Sequence, residues 1–181
     1  HHTKNSNILN SLVTNLLESM ELILVQDMIN LENQEQYKDI INTATLYLQK
    51  SNYDLHLWIN DPINYPEDFD DLIMINTPRS QSFLLIQTCC MSSSQLTSSL
   101  LLPIISKIQQ QEEEDVNVNW TLYETSIILL MILSKETLNA NSMNQVLKRL
   151  PLKYITPSTT NIQQQQPLII IQSIKCLCQY M

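Results

Sequence analysis

The 181 residues include no glycine. Positive φ is cheap only for glycine, and phosphate-cradling loops, dinucleotide-binding turns, nucleophile elbows and tight hairpins are built on it. Nucleotide-binding enzymes are therefore disfavoured from the outset. What remains is a chain of helices joined by loops of Asn, Ser, Thr and Pro. The apolar fraction of 44% is enough for a substantial core, so the Asn and Gln bias does not imply wholesale disorder.

Helical periodicity accounts for most of the chain. From Asn7 to about Asn30, apolar residues recur at Ile8, Leu9, Leu12, Val13, Leu16, Leu17, Met20, Ile23, Leu24 and Met28. These i, i+3 and i+4 spacings predict a helix with one broad core face. A second helix over Gln36–Gln49 places Tyr37, Ile40, Ile41, Ala44, Tyr47 and Leu48 on one side, and the short polar break before it predicts an antiparallel hairpin. Thr77 is a good N-cap, with Pro78 at the first helical position, where its missing N–H costs nothing. The helix it opens runs to about Met91, and Ser92–Ser94 turns it into a partner over Gln95–Gln111 that contains Pro103, where a kink is expected. Gln109–Asn119 is read as a solvated link. Further helices start at Trp120, Ser142 and about Gln166.

The helices opening near Pro78, Trp120 and Gln166 are about 42 and 46 residues apart, the period of HEAT and armadillo arrays. A helix pair cannot bury its stripe alone, so such pairs stack into a superhelix. The expected fold class is thus an all-α HEAT-repeat, armadillo-like α-solenoid. Its pairs span about 7–50, 78–111 and 120–150, with a further first helix from about 166 and an acidic loop inserted at 61–77. Apolar helices at both ends suggest an interior piece of a longer array.

Charge is distributed unevenly. Ten basic residues face eighteen acidic ones. Asp61, Glu67, Asp68, Asp70 and Asp71 form one cluster, and Glu112, Glu113, Glu114 and Asp115 a second, with no Lys or Arg in either. Half of the carboxylates lie in these two stretches, and the rest of the chain is nearly neutral. Acidic patches attract basic partners and speed their encounter, whereas nucleic acid would require a basic surface. The clusters are the candidate partner-binding sites, against the plainer reading of solvated loops.

Cys89, Cys90, Cys176 and Cys178 match neither zinc-site nor thioredoxin-like spacing and read as buried thiols. The longest purely apolar run, Ile127–Leu133, is seven residues, too short to span a bilayer. His56 lacks a convergent set of catalytic or metal-ligating partners in the sequence. Neither a catalytic residue, a cofactor nor a metal is expected. Trp58 and Trp120 read as braces at helix ends before interface anchors, and Arg79 as a partner for the acidic loop beside it.

The order Leu46-Tyr47-Leu48, Leu57-Trp58, Asp61-Pro62, Tyr65-Pro66-Glu67-Asp68-Phe69-Asp70-Asp71 and Arg79 resembles the importin-β superfamily of nuclear transport receptors. Trp120 with Tyr123-Glu124, and Pro167-Leu168 into Ile174-Lys175-Cys176-Leu177, are similar to helix starts in their following repeats. The importin-nine-like subgroup is the nearest in pattern. The resemblance implies a non-enzymatic import receptor segment that binds basic protein cargo, such as core histones or ribosomal proteins. It also implies control by the small GTPase Ran, contacts with nuclear pore proteins through the whole receptor, and shuttling between cytoplasm and nucleus, without direct nucleic-acid binding or membrane insertion. The packing residues depart from the family's usual Ala and Gly, with Ser, Thr, Cys and Ile in their place. The alternative is a HEAT or armadillo scaffold or regulatory subunit unrelated to nuclear transport.

Overall fold

The computed structural model describes residues 2–26, 34–51, 60, 76–114 and 120–134. Among them are five α-helices and no strand: α1 His2–Val25, α2 Gln34–Leu48, α3 Pro78–Ser92, α4 Ser94–Glu114 and α5 Trp120–Ser134. The chain is all-α over these residues. It divides into two units, His1–Ser92 and Ser93–Met181. The helices expected over 142–150 and from 166 lie outside the described residues.

In the first unit α3 is the common neighbour. Both α1 and α2, read from the sequence as a hairpin, pack closely on α3 rather than on each other. The buried positions of α2, namely Tyr37, Ile40, Ile41, Ala44, Thr45 and Leu48, follow the i, i+3, i+4 rule, as the sequence requires. Tyr47, expected on the same side, is exposed. Because α3 is covered by two helices, it buries residues on several sides: Arg79, Ser80, Ser82, Leu85, Ile86, Thr88, Cys89 and Cys90.

The first helix corrects the sequence expectation. Its supposed core face is mostly in water. Leu17 and Leu24 are buried, but Ile8, Leu9, Leu12, Leu16 and Ile23 are exposed. A stripe as wide as this one exceeds what a single neighbour can cover, and α3 takes only one side of it.

In the second unit α4 packs on α5. Thr97, Leu101 and Ile105 are buried along α4 at intervals of four residues. All seven residues from Glu124 to Leu130 are buried, Glu124 included. A helix covered all round is an interior helix. Pro103 does not end α4: the helix continues through it with the ring exposed, and the Ser99 carbonyl forgoes its usual N–H partner. The helix also extends past Gln111, where the sequence reading ended it, through Glu114 and so into the expected link. Gln and Glu are good helix formers, and no Gly or Pro interrupts them.

Helices without glycine bury hydroxyls where others bury alanine. Several of these hydroxyls are satisfied one turn back along their own helix. Thr14 donates to the Asn10 carbonyl at 2.7 Å, Ser82 to Pro78 at 2.8 Å, Thr97 to Ser93 at 2.7 Å and Thr125 to Thr121 at 2.8 Å. At these four positions a small side chain admits close helix packing without an orphaned polar atom, whereas Thr45 Oγ1 on α2 is buried with no hydrogen-bond partner.

Candidate functional site

The two acidic clusters differ in what can be described. Asp61, Glu67, Asp68, Asp70 and Asp71 lie outside the described residues, as do Trp58 and His56. Glu112, Glu113 and Glu114 form the end of α4, and Asp115 lies beyond the description. The second cluster therefore begins on a helix C-terminus rather than in a loop. Carboxylates there oppose the helix dipole, which favours cations at that end. They are unfavourable at that helix end and form a concentrated negative charge in the sequence.

Immediately after the first cluster comes the α3 entrance, and its chemistry is well defined. The Ser80 N–H donates to Thr77 Oγ1 at 3.1 Å, while the Thr77 N–H donates to Ser80 Oγ at 3.0 Å. This is a reciprocal capping box with serine in the place usually held by Glu or Gln. Thr77 and Pro78 act as the sequence predicts; the part played by Ser80 was not read. The Thr-Pro-Arg-Ser spacing held the signal, since a serine at the third helical position can reach the cap residue as a carboxylate does. Arg79, one residue along, is buried.

The other end of α3 gathers residues from three helices. Tyr37, in the first turn of α2, donates its hydroxyl to the Cys89 carbonyl at 2.9 Å. Thr88 donates to Glu21 Oε1, near the end of α1, at 3.1 Å. These bonds clamp the close of α1 and the start of α2 to one turn of α3. Burial pushes the Cys89 thiol up to about 11; the Glu21 charge adds to the rise and the nearby Tyr37 hydroxyl offsets part of it. A thiol so held is protonated at neutral pH and is a poor nucleophile. Cys89 and Cys90 are both buried, as their setting in an apolar helix suggested. Among the described residues no group of His, Cys, Asp or Glu is arranged to hold a metal.

The remaining candidate surface is the outside of α1. Its stretch Ile8–Val25 is long and apolar enough to cross a membrane, by length and composition alone. Counting only uninterrupted apolar runs hid this, because Asn15, Glu18, Ser19 and Glu21 punctuate it. Glu21 faces α3 through Thr88, the behaviour of a helix packed against protein.

Comparison with known proteins returned no matching family model, no matching curated protein and no matching solved structure.

Proposed function

We propose that this chain is a segment of a nuclear import receptor, a HEAT-type array that binds basic protein cargo by charge and shape and yields it under the control of Ran-GTP. The carrying observation is the ordered resemblance from Leu46 through Trp58, Asp61-Pro62 and the acidic run to Arg79. The helical content supports it: the described residues form helices and no strand, as a HEAT array requires. The capped α3 entrance directly after the acidic run is in keeping with a loop that leads into a fixed helix start.

In this reading the chain makes and breaks no bond. Asp61, Glu67, Asp68, Asp70 and Asp71 act together as a negative field, and Glu112–Asp115 as a second one. Single substitutions there change little. Replacing the first set with serine lowers the affinity for basic cargo and flattens its dependence on salt.

Titration with a core histone dimer, with and without Ran-GTP at two salt concentrations, tests the proposal. Salt-sensitive binding that Ran-GTP alters is the expected result. Binding to neither, by the full-length protein, overturns it and favours the scaffold reading, in which helix surfaces join other proteins without Ran.

A further inference from the structure

The outer side of α1 carries a second stripe that the first unit leaves uncovered. Leu9 is 61% exposed, Leu12 62%, Leu16 55% and Ile23 40%, and Ser19 between them is also exposed. Positions 9, 12, 16, 19 and 23 alternate in steps of three and four, the seam of a two-stranded helix contact. Ile8 and Leu22 flank it, 60% and 54% exposed. The Ser19 hydroxyl is satisfied by the Asn15 carbonyl at 2.7 Å, so it can enter a dry contact without an orphaned donor.

We propose that this stripe is a homodimer interface, in which α1 of one copy packs antiparallel against α1 of a second. Area, charge and geometry select that occupant. Ile8, Leu9, Leu12, Leu16 and Ile23 leave roughly 500 Å² of aliphatic surface in water, at the top of what a monomer's largest patch usually reaches. A standard interface takes about 800 Å² from each partner, and about 65% of a homodimer interface is apolar. The stripe supplies that apolar share.

The chain carries a net charge of -8, which would oppose self-association, yet Ile8–Leu17 contains no charged residue. Glu18 lies about 200° round the helix from Leu16, and Glu21 is engaged with Thr88. The seam also lacks the flanking charges that select a different partner. A two-fold axis midway between Leu12 and Leu16 sets Leu12 opposite Leu16 and Leu9 opposite Ser19, and it sets the two helix dipoles antiparallel. An anionic lipid surface is the weaker occupant, since Lys4 is the only Lys or Arg on α1. This inference does not rest on the import reading, in which a preceding repeat would cover the same face.

Sedimentation equilibrium of the 181-residue chain, from about 1 to 100 μM, tests it against L12E, L16E and L46E. Leu46 is as exposed as Leu12 but lies on α2. The expected result is a dimer for the parent and L46E, with the dissociation constant raised about a hundredfold or more in L12E and L16E. Circular dichroism unchanged in those two variants shows that α1 still folds. A monomeric parent overturns the proposal, as does a dimer that L46E weakens equally. Flotation of a monomeric parent with neutral phosphatidylcholine vesicles, abolished by L16E, overturns it in favour of lipid.

Discussion

α1 and α3 lie side by side in one unit, and the more polar of the two is the more buried. α3 buries Arg79, Ser80, Ser82 and Thr88 along with Leu85 and Ile86, while α1 leaves Ile8, Leu9, Leu12 and Leu16 in water. Hydropathy alone ranks them the other way. The difference is position: α3 has a helix on each side, and α1 has α3 on one. A buried polar residue is tolerated where it is hydrogen-bonded, and Ser80, Ser82 and Thr88 of α3 meet that condition through the cap, a one-turn hydroxyl bond and the bond to Glu21.

The contrast breaks most directly by cutting the same side chain from each helix. Leu85→Ala, at a fully buried site on α3, should lower stability by about 2–5 kcal/mol, and Leu12→Ala, at an exposed one, by less than about 0.5 kcal/mol. Denaturant titration at a concentration low enough to keep the chain monomeric measures both. Equal losses would mean that α1 is covered within a single chain.

Next in size is an alkaline effect at Cys89. Burial pushes its thiol from 9.0 in the free side chain up to about 11 in the fold. Between those values the unfolded chain loses its proton first, so the Cys89 contribution is whole below pH 9 and is lost as pH rises through 11. The loss is about 2–3 kcal/mol if the whole shift is realised. Comparing the parent with Cys89→Ala across pH 8 to 11 separates this thiol from every other titrating group. A difference that stays constant would place Cys89 in contact with water.

The α3 entrance sharpens the comparison further. Thr77→Ala should cost about 1 kcal/mol, and Thr77→Asp should retain most of the stability, because aspartate accepts the same N–H. Thermal unfolding distinguishes them, and an equal loss in both would show that the Thr77 methyl, rather than its oxygen, is what matters. Tyr37→Phe removes the hydrogen bond to the Cys89 carbonyl and should cost about 0.5–1.5 kcal/mol. No change in its unfolding midpoint would mean that the packing of the ring alone holds α2.

Much of the local structure was legible. The stripe of α2, the Thr77-Pro78 start and the helix from Trp120 are written in period and capping chemistry, which act within a few residues. The outer stripe of α1 was misassigned because periodicity marks apolar surface and is silent on what covers it. The end of α4 was misplaced because Gln and Glu are polar enough to read as loop, though their backbone preference is helical. Of the candidate site, the three glutamates of the second cluster are placed on a helix. The first cluster, Asp61 to Asp71, lies outside the described residues, and charge content by itself holds no geometry.

The one-turn hydroxyl bonds carry a mechanical consequence. The carbonyls of Asn10, Asn15, Pro78, Ser93 and Thr121 each accept a side-chain hydroxyl as well as the amide that the helix directs to them. Sharing an acceptor lengthens the backbone bond slightly and lets the helix bend. A chain that packs closely with serine and threonine rather than glycine and alanine is therefore the more compliant spring. Its amides at Thr14, Ser19, Ser82, Thr97 and Thr125 should exchange with deuterium ahead of their helical neighbours at equal burial.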